Sequence, residues 1–255
     1  MRGMKLAVVL GSGVALMALA GGAMAKDVRC DVDSDYDLSV TPSSVILTRQ
    51  TGTPKAIVMR QGRMFVDDKW VSLSADDSKR IAEYEQKVRA TMPLAAQIGR
   101  DAAAIAFTAL GEVATQLSSH PAETRAHLAK ARTEIDARLA RSVTANRFNG
   151  NDLGEGIAHA IGEVLPMVIG DIVSGAVGAA FSGDSARLER LNNVDQEIER
   201  LVEPRARQLE RSAETLCRNM QSLDAIDDAL AYRLPDGGRL DLIDARIEIR
   251  ETPRH

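Results

Sequence analysis

The chain has 255 residues, a formal net charge of −4 and only 3% aromatic side chains. An acidic balance offers nucleic acid no basic face, and so few rings exclude a stacking platform for sugars or single strands. The length suffices for one domain or two small ones with a buried core.

Met1 to Ala25 reads as a targeting segment. Arg2 and Lys5 form a short positive region, Leu6 to Ala20 is apolar apart from small Gly and Ser, and Ala23-Met24-Ala25 is a small-x-small cleavage site. The apolar run is short for a membrane anchor, so export with cleavage before Lys26 is expected. Without Arg2 and Lys5 the chain carries 30 basic against 36 acidic side chains, a net charge of −6. Cys30 and Cys217 are the only cysteines. In an oxidising compartment an isolated pair reads as a disulfide, the alternative being two buried thiols.

Asp31, Asp33, Asp35 and Asp37 alternate along an extended segment and share one face. Asp31, Asp33 and Asp35 begin like a calcium loop, but the sixth and twelfth positions are Tyr36 and Pro42 rather than Gly and a carboxylate. A solvated acidic strand is the stronger reading, with a cation site the weaker one. Short β-branched runs follow at 44–49, 55–60, 63–66 and 70–73, separated by turn residues such as Gly52, Pro54 and Gly62. They predict an antiparallel meander of four or five strands, anchored in its core by Trp70.

Ser74, with Asp77 three residues on, opens a helix whose buried stripe is Ile81, Tyr84, Val88 and Met92, and Pro93 is expected to end it. Residues 94–117 are apolar nearly all round and carry a ridge of small residues, Ala95, Gly99, Ala103 and Gly111. A helix from Pro121 to about Val143 should bury Leu128, Ala131, Ile135 and Leu139.

Residues 154–182 form the least charged stretch. Gly154, Ala158, Gly162, Gly170, Ser174 and Gly178 recur at multiples of four and would line one helix face. Each Gly costs about 1 kcal/mol of helix propensity, so close packing of a neighbouring backbone is expected there, with the 94–117 ridge as partner. Leucine at Gly162, Gly170 or Gly178 should then overpack the seam by about 1–3 kcal/mol. Transient membrane contact is the competing explanation, although Glu163, Asp171 and Pro166 oppose insertion. A long amphipathic helix follows Asp184 and should kink at Pro204. Leu240, Leu242, Ile247 and Ile249 suggest late strands that could join the N-terminal sheet.

The fold class is therefore α+β. A targeting segment (1–25) precedes a small N-terminal antiparallel β-meander (26–73), a bundle of long α-helices (74–232) and a short C-terminal β segment (233–255). Catalytic signals are missing from the pattern. The histidines at 120, 127, 159 and 255 have no zinc spacing, and neither a nucleophile elbow nor a phosphate loop occurs. His159 sits one turn before Glu163 and reads as a locally paired helical histidine. No catalytic residue, metal or cofactor is expected.

The order of parts resembles the YggN-like periplasmic proteins of Gram-negative bacteria. The resemblance rests on the leader, Cys30, the 41–47 run TPSSVIL, the 62–73 run GRMFVDDKWVSL, the 81–93 run IAEYEQKVRATMP and Cys217. It implies a periplasmic protein of this topology and carries over no catalytic residues. The expected function is thus a non-catalytic envelope protein acting through helix contacts with a protein partner or membrane surface, including a homo-oligomer. A carrier or chaperone-like binder of an apolar ligand is the alternative, and a carboxylate-based hydrolase stands third.

Overall fold

The computed structural model describes residues 25–149 and 185–252, and between them residues 159, 162, 166–175, 177, 178 and 181. The targeting segment up to residue 24, Gly154 and Ala158 lie outside the described residues. The fold is mixed α+β, and the chain forms two compact units. The first runs to Leu94 and adds Ala145–Phe148 and the chain from Ser212. The second takes Ala95–Thr144 and the described residues from Asn149 to Arg211.

In the first unit, β1 (Ala25–Asp33) is followed by the meander β2 (Asp37–Val40), β3 (Val45–Thr48), β4 (Ala56–Arg60), β5 (Arg63–Val66) and β6 (Lys69–Trp70). A short β7 (Phe148–Asn149) closes the sheet, whose order is β6-β5-β4-β3-β2-β7. Alternation sorts its two faces. The register aligns Val45 with Met59 and Met59 with Met64, and likewise Leu47 with Ile57 and Ile57 with Val66; all six are buried. The opposite face carries the row Ile46, Val58, Phe65 and Trp70. Trp70 is 54% exposed, edge-on to Phe65 and beneath the Arg63 guanidinium. The expectation of a core anchor is thus corrected: β6 is an edge strand, and its two-residue register turns Trp70 outward.

Helix α1 (Ala75–Leu117) begins as the capping pattern predicts, with the Asp77 N–H donating to Ser74 Oγ at 3.0 Å. Ile81, Tyr84, Val88 and Met92 are all buried. The β4–β5 hairpin tip is fastened to this helix. Gly62 N–H donates to buried Glu85 Oε2 at 3.0 Å, and Ser78 Oγ donates to Gly62 O at 2.7 Å. Gly62 has φ +72, and an added Cβ would lie 2.7 Å from the Ser78 carbonyl oxygen, so only glycine fits there. Pro93 does not end α1. Its own ring is exposed while Thr91, Met92 and Ala96 are buried around it, and that burial offsets the hydrogen bond that Pro removes. The unit boundary falls one residue later.

The end of the chain returns to its beginning. From α4 (Ser185–Asp228) the backbone runs to β8 (Asp244–Thr252), which pairs with β1 over nine residues as a separate two-stranded sheet. The register sets Asp27 opposite Arg250, Arg29 opposite Glu248 and Asp31 opposite Arg246. Opposite charges directly across an antiparallel pair favour this register over a slipped one. The late β segment therefore joins β1 and not the meander, while Leu240 and Leu242 are buried outside any strand. Cys30 and Cys217 form the expected disulfide, tying β1 to α4 across 187 residues.

In the second unit, α2 (Pro121–Ser142) buries Leu128, Ala131, Ile135 and Leu139, the expected stripe. Gly99 of α1 faces this helix, since its added Cβ would meet Leu139 Cδ2 at 3.3 Å. A third helix, α3, is described at residues 166–175, 177, 178 and 181. Its Val168 joins Leu128 and Ala131 in a core cluster flanked by Phe107, Leu110 and Ile172. The expected glycine seam is not formed within the chain among the described residues. Gly162, Gly170, Ser174 and Gly178 are exposed, and a Cβ on any of the three glycines would meet nothing within 4 Å. The physical reason is that bulky Val168, on the other side of the helix, makes the inward contact.

The bridge generates a stability prediction. Cys217→Ala should lower the unfolding free energy by about 2–5 kcal/mol, because it frees a long loop in the unfolded chain and unfastens β1. Urea denaturation of variant and wild type gives the difference directly; equal midpoints and slopes would show that the ribbon does not depend on the bridge.

Candidate functional site

Among the described residues, the exposed large hydrophobic side chains other than Trp70 all lie on helix α3. Ile169, Val173 and Val177 ascend in four-residue steps and are half exposed; Phe181 continues the line at 89% exposure. Met167 is half exposed beside them, and Pro166, Gly170, Ser174 and Gly178 are exposed in the same arc. None of the exposed described residues from 159 to 181 is Asp, Glu, Lys or Arg. A helix exposed on one side ordinarily carries charge there. Contiguous apolar surface of this kind is found at protein, membrane or ligand contact sites.

The inward side of α3 is held by Val168 and a polar clasp. Asp171 accepts hydrogen bonds from the Ser118 hydroxyl, from Thr124 Oγ1 at 2.5 Å and weakly from the His120 N–H at 3.4 Å. Its other oxygen lies 3.2 Å from His120 Nδ1. The donors, Ser118 first and Thr124 next, hold the Asp171 carboxyl well below the usual carboxylate range. His120, at the start of α2, makes no side-chain cap of its own, so a carboxylate from another helix stands at this N-terminus, where the helix dipole favours it.

Ser118, His120 and Asp171 have the composition of a hydrolytic triad but not its geometry. A nucleophilic hydroxyl donates into the imidazole, which in turn is oriented by the carboxylate. Here the Ser118 hydroxyl donates straight to Asp171. Its proton is committed to the carboxylate, and the arrangement is a clasp between helices. Sequence reading overlooked it because Asp171 lies 51 residues from His120 and no spacing links them.

The first unit holds a second polar cluster at the C-terminal end of α4. Asp227 Oδ2 accepts the Leu242 N–H at 2.6 Å, Asp224 Oδ2 accepts the Ala245 N–H at 3.1 Å, and Asp77 Oδ1 accepts the Ala231 N–H at 3.0 Å. These bonds fasten the segment that leads into β8. Asp227 is buried and its Oδ1 has no hydrogen-bond partner. Burial, reinforced by Asp224, Asp241 and Asp228, pushes its pKa up to about 7. Buried Tyr84 lies in the same field, and burial first, then Asp227 and Asp224, raise its hydroxyl.

The remaining sequence candidates are dispersed. Asp31 is paired in register with Arg246, and Asp35 lies 3.5 Å from Arg49 in an ion pair. Asp33 faces Asp244 across the ribbon. Among the described residues no three ligating side chains gather as a metal site would require. Exposed His159 is described, whereas Glu163 lies outside the described residues.

Fold and surface together define a disulfide-bridged α+β protein with, among the described residues, an exposed helix face free of charged side chains. The chain belongs to the DUF2884 family, described as protein of unknown function, whose model matches residues 30–243. No curated protein and no solved structure matches the chain.

Both clusters give testable outcomes. Asp171→Ala should lower the melting temperature at neutral pH by releasing Ser118, Thr124 and His120. Because the folded pKa lies below the ordinary 3.8, the stabilisation is present above that value and is lost as pH falls through the folded pKa. The gap between variant and wild type should therefore narrow in acid. A gap independent of pH would mean that the clasp is not ionic.

Asp227 has the opposite sign. Its folded pKa lies above 3.8, so the folded state loses stability as pH rises from that value through about 7. Asp227→Asn keeps an acceptor for Leu242 and removes the charge. It should gain roughly 1–3 kcal/mol over wild type above about pH 8 and nothing below about pH 4. Urea titrations across this range test it, and a variant less stable at high pH would refute the assignment.

Proposed function

We propose that this is an exported, periplasmic envelope protein that acts by contact and not by chemistry, through the outward face of α3. The observation that carries this reading is the uncharged exposed arc of Met167, Ile169, Val173, Val177 and Phe181. A solvated face of that size is costly unless a partner covers it. Export is supported by the leader-like composition of residues 1–25 and by the Cys30–Cys217 bridge, which suits an oxidising compartment. Among the described residues no helix is long and apolar enough to cross a membrane. The resemblance to YggN-like periplasmic proteins points to the same compartment. A carrier would turn its apolar side chains inward around a ligand, whereas these turn outward.

Site-specific photo-crosslinking in intact cells tests the reading. A crosslinker at Val177 should give discrete protein adducts. One at Lys130, exposed on α2, should give none. Absence of adducts at both Val177 and Val173 would overturn the contact function.

A further inference from the structure

The geometry points to a second copy of this chain as the occupant of the α3 face, in a two-fold dimer; this rests on the contact reading above. The pattern of the face is self-complementary. Ile169, Val173 and Val177 make a ridge of branched side chains at four-residue steps. Immediately beside it, one residue further on in each case, Gly170, Ser174 and Gly178 make a shallow groove, and the two glycines have open space where a Cβ would stand. Ridges and grooves of the four-residue rows interdigitate when two helices cross at roughly −50°, and small residues permit the close approach. A two-fold axis through Ser174 would seat the ridge of each copy in the groove of the other. That is the isologous arrangement, in which one patch serves both partners.

Area suits this occupant, and charge selects it over a lipid surface. Fully covering four half-exposed side chains and Phe181 removes at most roughly 500 Å² from each copy, so a pair buries up to roughly 1,000 Å², the scale of a weak, reversible dimer. The exposed glycines, Pro166 and Ser174 extend the same patch. Between Arg147 and Arg187 the sequence has no Lys or Arg but carries Asp152, Glu155, Glu163, Asp171 and Asp184. A helix that lies on an anionic membrane surface is rich in cations along its polar side, and this one has the opposite sign.

Sedimentation of the full chain, with its disulfide intact, over micromolar to near-millimolar concentrations tests the dimer. Wild type should show a concentration-dependent monomer–dimer equilibrium. Val173→Glu brings two like charges together near the axis and should weaken the dimer by at least about tenfold. Gly170→Leu should also weaken it by filling the groove, while leaving the melting temperature of dilute protein unchanged or raised. That second variant guards against misreading a folding defect. Ser174→Cys should form a disulfide-linked dimer on mild oxidation, because the native cysteines are already paired. A wild type that stays monomeric, or a dimer indifferent to both variants, overturns the proposal. So does a monomer that co-sediments with phosphatidylglycerol-containing vesicles and loses this with Val173→Glu. If the wild type is monomeric yet Val177 crosslinks to a different protein in cells, the second copy falls and the contact function stands. If neither occurs, both fall.

Discussion

The first unit depends on holding together two strands from opposite ends of the chain. A two-stranded ribbon is marginal in water by itself, and among the described residues β1 and β8 pair only with each other. Three features of the last turns of α4 fix it. Cys217 holds β1 covalently, Asp224 holds the Ala245 backbone at the start of β8, and Asp227 holds Leu242 just before it. Opposed charges along the ribbon then select the register. The cost of this arrangement is a buried carboxylate oxygen without a partner on Asp227, beside other carboxylates that raise its pKa. The same acid that fastens the chain end is thus a local source of pH sensitivity.

The second unit has a different economy. Its α3 is fixed by one small apolar cluster around Val168 and by the carboxylate of Asp171 reaching three residues near the start of α2. A polar clasp of this kind satisfies exposed helix-end donors without large side chains, so the remaining circumference of α3 is left for other use. Sequence economy and function meet there. Residues that would be wasteful on a solvated helix, the glycines and the β-branched ridge, are together on the open side.

Several sequence expectations were legible because they rest on local physics. The α2 stripe, the α1 start at Ser74 and the existence of an antiparallel meander follow from spacing, capping and turn residues. Others failed where tertiary burial outweighed local preference. Pro93 lies inside α1 because burial on both sides of it exceeds the loss of one hydrogen bond. Trp70 is exposed because a two-residue edge strand leaves no second layer over it. The small-residue stripe was expected to pack against the 94–117 ridge, but its described members face outward and the inward contact is made by Val168.

By itself the sequence determined the α+β composition, the pairing of its two cysteines and the low charge of the 154–182 segment, which has no Lys or Arg. These follow from periodicity, redox chemistry and composition, which are properties of short stretches or of counts. Only the tertiary structure decided that β8 meets β1, that Asp171 clasps Ser118, Thr124 and His120, and which side of α3 faces outward. Each of those joins residues far apart in the chain. A pairing of that kind depends on which partner offers the better burial and hydrogen bonds, and that competition is settled only when all the elements are packed together.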